Sequence, residues 1–227
     1  MPGALTVSRC VLALLAAMAM TGCGAIKVAP ESHLPHALVQ PLNARVGLVL
    51  DDELRHFKHE ETRASSNWQV DLGPGHEQWL KSVFNSSFTS VTVFRSLDEA
   101  KSSTGLQGLF QPQIEQYSFA TANETSGSYW AVTIRYRIAV FTPTGEPADS
   151  LTLTGYGNAA GARRAGPSLV AATQSAMRDA AAKILVQMPR QPLAAKLVAG
   201  EVLRTGEGVA VVDPIETVPI EPQPAAG

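Results

Sequence analysis

Val132-Thr133-Ile134-Arg135-Tyr136-Arg137-Ile138-Ala139-Val140 decides the fold class. Its alternate residues Val132, Ile134, Tyr136, Ile138 and Val140 are all apolar, while Thr133, Arg135 and Arg137 fall between them. Successive side chains of a strand point to opposite faces, so this pattern is a half-buried strand with one wet side. Thr142-Pro143-Thr144-Gly145-Glu146-Pro147 follows with turn chemistry. Leu151-Thr152-Leu153-Thr154 then returns as an antiparallel partner, with Gly155 and Gly157 expected to end it.

Outward from this hairpin the elements alternate in type. Upstream, Phe110 to Phe119 is a strand that Pro112 pushes toward an edge or a strand start. Val91 and Val93 suggest another, and Arg45-Val46-Gly47-Leu48-Val49-Leu50-Asp51 reads as a buried one. Trp68, Val70 and Leu72 alternate briefly, whereas Asp52 to Asn67 is polar and is expected as a loop or exposed extension. After the break Gly73-Pro74-Gly75, Trp79, Leu80, Val83, Phe84 and Phe88 form one stripe of a helix over His76 to Thr89. Downstream, Gly166-Pro167 precedes a second helix, Leu169 to about Met188, with Ser168 as N-cap and Pro189 as stop. Its Ala172, Ala176, Ala180, Ile184 and Met188 repeat would let it approach a sheet closely. The expectation is an α+β fold: an antiparallel or mixed sheet with two main helices packed on one face.

Composition narrows the classes. Of 227 residues, 45% are hydrophobic and 17% charged, with a formal net charge of -2, so no basic field exists to draw nucleic acid. The two cysteines, Cys10 and Cys23, make neither a disulfide framework nor a cysteine metal site.

The leader explains those cysteines. Arg9 is followed by an apolar run from Cys10 to Met20 and then Thr21-Gly22-Cys23-Gly24, which matches a secretory signal and is too short to span a bilayer comfortably. Met20-Thr21-Gly22-Cys23 resembles the lipobox of bacterial lipoproteins, although Met20 and Thr21 depart from its commonest residues. The resemblance implies cleavage before Cys23 and acylation of its thiol, hence a lipid bilayer as partner. It further implies the outer membrane, facing the periplasm, because Gly24 is not the aspartate that favours inner-membrane retention. Two or three acyl chains hold a protein far more firmly than one, at about 0.8 kcal/mol per buried methylene.

The organisation expected is therefore a signal peptide over 1–22, a tether over 23–43, a single α+β domain over 44–203 and a proline-rich disordered tail over 204–227. The tether, with Pro30, Pro35 and Pro41, would span on the order of 25 Å as a coil. In the tail, Pro219 and Pro222 have PxxP spacing without a flanking basic residue.

Few residues suggest chemistry. His56 and His59 would share a face if helical and could bind Zn²⁺, but the His-Glu-x-x-His pattern is absent and a solvated loop is expected. His33, His36 and His76 are expected in surface roles. Ser86, Ser87 and Ser90 lack a nucleophile elbow, and the adjacent acids Asp51-Asp52 and Glu60-Glu61 diverge on regular structure. Gly155-Tyr156-Gly157-Asn158-Ala159-Ala160-Gly161 imitates a phosphate loop without its Lys-Ser/Thr, and Arg163-Arg164 could touch anionic headgroups or a partner from an exposed loop. Trp68, Trp79, Tyr129 and Trp130 could line a binding surface, with Trp79 expected in the core. We expect no catalytic residue, no cofactor and no metal site, which leaves Cys23 as the one functional residue.

Val46-Gly47-Leu48-Val49-Leu50-Asp51, Tyr136 to Gly145, Gly155-Tyr156-Gly157 and Ala176-Met177-Arg178-Asp179-Ala180-Ala181-Ala182, together with the leader, resemble small envelope lipoproteins of the YajG type. More distantly they are similar to domains related to CsgG and to penicillin-binding-protein activator lipoproteins. The resemblance implies a non-enzymatic periplasmic accessory module with an envelope protein as partner. A subunit of a CsgG-like export complex is the alternative, and a periplasmic hydrolase comes after it.

Overall fold

The computed structural model describes residues 26–30, 39–63, 66–126, 129–161 and 165–205. The hairpin read from the sequence is its centre: β6 (Gly108–Ala120), β7 (Tyr129–Phe141) and β8 (Pro147–Ala160) form a long antiparallel meander. On its other side β2 (Leu42–Val49) runs parallel to both β6 and β5 (Phe88–Phe94), completing a five-stranded mixed sheet in the order β5-β2-β6-β7-β8. A smaller sheet, β1-β4-β3, joins β1 (Ile26–Val28) parallel to β4 (Ser66–Asp71), which pairs antiparallel with β3 (Lys58–Arg63). The short helix α1 (Asp52–Arg55) leads into β3, with Asp51 as its N-cap accepting from the Leu54 amide at 2.9 Å.

Two main helices cover the face that the β7 alternation predicts. These are α2 (Gly73–Ser87) and α4 (Ala165–Gln187); α3 (Leu97–Lys101) and α5 (Pro192–Val198) are short. Trp79 and Phe84 of α2 and Ala172, Ala176 and Ala180 of α4 pack with Ile134, Tyr136 and Ile138 in one core. This is the expected α+β architecture. Because the pleat alternates, Val49, Leu109 and Phe141 face the opposite side, where Phe94, Ala100 and Leu106 join them in a second, small core.

Several local expectations are corrected. Gly155 and Gly157 do not end β8 but lie inside it, under α4. A Cβ on either would stand less than 3.0 Å from the carbonyl oxygen of Ala176 or Ala172 respectively, so hydrogen is the only side chain that fits. Pro112 lies in a central strand, yet β2 pairs with β6 only through Phe110, so at Pro112 the strand has β7 alone beside it. The apolar residues of β6 change parity between Ile114 and Tyr117, and a β-bulge there keeps both facing inward.

Asp52 to Asn67 is not a loop: it holds α1 and β3. Gly73 and Pro74 belong to the first turn of α2, because the Gly73 amide bonds Phe57 O at 3.2 Å and a Cβ would strike the Arg55 carbonyl. Gly166-Pro167-Ser168 likewise lies within α4, so Ser168 is buried in its first turn rather than capping it. Pro189 falls in a 3₁₀ turn, Met188–Arg190, as the expected stop. The stretch expected as a tether holds β1, whose Val28 is buried, and the first residues of β2.

Candidate functional site

The direction of β1 organises one end of the molecule. Ile26 pairs with Trp68 and Val28 with Val70, both strands running the same way, so the chain preceding Ile26 emerges beside the start of β4. Trp68 packs on Phe119 and Trp130 with ring centroids 5.3 and 5.4 Å away. Phe119 is next to last in β6 and Trp130 second in β7, so the end of one strand and the start of the other belong to the same end. Tyr129, next to Trp130 and paired with Ala160, is 44% exposed there. The indole N–H groups of Trp68 and Trp130 are buried with no hydrogen-bond partner among the described residues.

An ionic chain closes this pole. Arg63 bonds Glu124 at 2.8 Å and Glu61 at 2.6 Å within β3, while its guanidinium carbon stands 4.9 Å above the Phe119 ring. His59 bonds Glu61 at 3.0 Å, and its ring lies 5.0 Å from that of Tyr117, tilted by 54°. Partial burial pushes the Glu61 carboxyl up, but hydrogen bonds from His59 and Arg63 and the Arg63 charge hold it below the usual carboxylate range. Glu124 is held down to about 2 by the Thr121 amide, then by Arg63 and the Thr121 hydroxyl. Such a set ties the end of β3 to Glu124 after β6; a carboxylate that stays ionised and paired does not serve as a proton donor near neutral pH.

The opposite pole is built around Gln107. Its side-chain oxygen accepts from the Arg45 amide at 2.8 Å, and its amide nitrogen donates to Leu197 O at 2.7 Å and Glu201 O at 3.2 Å. Leu203 lies against Gly108, and Val202 is 52% exposed. A cavity of about 370 Å³ opens here, lined by Asn43, Arg45, Leu106, Gln107, Val198 and Val202 among others.

The remaining expected residues separate. His56 caps α1, its Nδ1 2.9 Å from Asp52 O, and shares no face with His59 of β3. His76 is corrected from a surface role: it is 0% exposed, in the core. Its Nδ1 donates to Leu72 O at 2.8 Å, so neutral Nε2 accepts from the Tyr136 hydroxyl at 2.7 Å. Burial pushes its pKa down to about 4. Ser86 and Ser87 donate to carbonyls of their own helix, and Asp51 caps α1 while accepting from Gln111 at 2.7 Å. Glu60 and Glu61 point to opposite faces of β3. Trp79 is in the core as expected. Cys10, Cys23, His33, His36 and Arg163-Arg164 lie outside the described residues.

The cross-sheet contacts have no sequence signature, since Arg63 and Glu124, or His76 and Tyr136, are some sixty positions apart. Only the neighbours Glu61 and Arg63, alternating with His59 on one face of β3, carried a period-two signal.

No protein-family model matches the chain, and no curated protein matches it. Among solved structures it is similar to a Xanthomonas campestris protein of the DUF330 family, at 12% identity and a TM-score of 0.47, over 77% of this chain and 96% of that one. A candidate neuraminyllactose-binding haemagglutinin homologue from Helicobacter pylori is similar at 11% identity and a TM-score of 0.43, over 76% and 97% of the two chains. A candidate lipoprotein from Caulobacter crescentus is similar at 13% identity and a TM-score of 0.30, over 46% and 79%. Among the described residues, no helix is long and apolar enough to cross a membrane.

Proposed function

We propose that the chain is an envelope lipoprotein held to the outer membrane, on its periplasmic side, by acyl chains on Cys23. There it acts as a non-enzymatic accessory or interaction module for another envelope protein. The observation that carries this reading is the placement of Gly22-Cys23 at the end of a short apolar run, directly ahead of the folded domain. A tightly packed α+β domain with its buried histidine bonded on both nitrogens suits a scaffold better than a reaction centre.

The export-subunit alternative has strand length in its favour: β6, β7 and β8 have 13, 13 and 14 residues against the roughly 9–11 a membrane strand needs. Both faces count against it. One lies under α2 and α4, and the other exposes Glu115, Arg135 and Arg137.

Growth with a palmitate analogue tests the anchor. The natural chain should take up label and Cys23→Ala should not; equal labelling of both, or of neither, would remove the reading. Crosslinking in intact cells tests the accessory role, and a chain that captures no envelope protein counts against it.

A further inference from the structure

The direction in which the chain enters the fold carries a consequence for how the domain stands on its membrane. Only Gly24 and Ala25 separate Cys23 from Ile26, the first residue of β1. Extended chain covers at most about 3.5 Å per residue, so the Cα atoms of Cys23 and Ile26 are no more than about 10 Å apart. Ile26 cannot wander, because β1 is paired with β4 and Val28 is sealed in the core. A coil running from residue 23 to 43 would have let the domain stand well clear of the lipid; a docked β1 does not.

We infer, resting on the acylation of Cys23 proposed above, that the pole formed by the start of β1, residues 121–126 and Tyr129 rests against the lipid headgroups, with the Gln107–Leu203 pole turned away. The surface chemistry fits a headgroup layer. Asn123, Glu124 and Ser126 expose polar groups after β6, and Tyr129 presents an amphipathic ring of the kind enriched at membrane interfaces. The large apolar rings, Trp68, Phe119 and Trp130, are sealed behind them, so the contact is superficial and does not insert. The Arg63–Glu124 pair ties the end of β3 to the described residues 121–126 that follow β6, and Glu61 orients the Arg63 guanidinium from within β3. β6 runs its 13 residues from Gln107's neighbour to this pole, which sets the two poles about 40 Å apart.

The test uses the full-length acylated protein in vesicles of phosphatidylethanolamine and phosphatidylglycerol, some of the lipid carrying a headgroup nitroxide quencher. A bimane fluorophore is placed at Asn123→Cys, Tyr129→Cys or Val202→Cys, and binding is followed by flotation. The first two labels should lose most of their emission and the Val202→Cys label almost none. A twenty-residue Gly-Ser insertion between Gly24 and Ala25 should bring the Tyr129→Cys label back to the Val202→Cys level. Vesicles that float with the protein while the pole labels stay bright, or equal quenching at all three sites, would overturn the orientation and leave the anchor standing. Protein that fails to float, with Cys23→Ala behaving identically, would overturn the anchor and the orientation together.

Discussion

Gly157 of β8 lies directly beneath Ala172 of α4, close enough that a Cβ on the glycine would collide with the alanine carbonyl. Gly155 stands in the same relation to Ala176 one step along the strand. Helix and sheet meet backbone to backbone along this line, which explains why small residues appear on both sides of it. Overfilling a packed interface costs typically about 1–3 kcal/mol. Gly157→Ala should therefore lower the unfolding free energy, measured by urea denaturation, by about 1–3 kcal/mol. Gly166→Ala, in the first turn of α4 with no atom within 4 Å of its would-be Cβ, should be neutral or slightly stabilising. Equal effects of the two substitutions would contradict the contact.

His76 makes the domain acid-sensitive. Its pKa falls from 6.5 in the unfolded chain to about 4 in the folded one because burial disfavours the imidazolium. Protons thus bind preferentially to the unfolded state, and the stability contribution present above pH 6.5 is lost progressively as pH falls toward 4. A shift of this size corresponds to on the order of 3 kcal/mol. Denaturation midpoints measured across that interval should decline steeply for the natural chain and less for His76→Gln, which should be less stable at neutral pH. Parallel slopes would assign the acid sensitivity to other groups.

Gln107 ties α5 and the residues just after it to the sheet through three hydrogen bonds to backbone groups. In Gln107→Leu these backbone partners lose their side-chain bonds, and a buried unsatisfied group costs about 1–3 kcal/mol. We expect that loss, together with faster proteolysis within α5, whose contact with β2 the amide reinforces. Unchanged cleavage would mean that Leu193, Leu197 and Leu203 hold the segment alone.

Val28 tests the docking of β1. Val28→Asp places a carboxylate in the core beside Val70, where an unpaired charge is strongly disfavoured. The three-residue strand should detach while the five-stranded sheet persists: hydrogen exchange should quicken at β1 and β4 and stay slow in β7. Global unfolding would show that β1 is integral to the main core.

Elements with a large contrast between faces were readable from residue order. β7 alternates fully, and the alanine stripe of α4 announces a close approach to a sheet. β3 was not readable, because both of its faces are polar: Lys58, Glu60 and Thr62 point outward while His59, Glu61 and Arg63 lie half-buried against Tyr117 and Phe119. β1 is three residues long, just ahead of Pro30, and local pattern cannot distinguish it from a linker. Gly155 and Gly157 carry turn chemistry in isolation; only the helix above them reveals that the missing side chains make room. The histidine in the core was hidden for a related reason, since its partner Tyr136 comes from another element.

The most direct measurement is the intact mass of the full-length protein extracted from membranes. The expected species is a chain beginning at Cys23, heavier than its sequence by a diacylglyceryl group with or without a further amide-linked acyl chain. A chain that retains Met1, or one that begins elsewhere with a free thiol at Cys23, would contradict it.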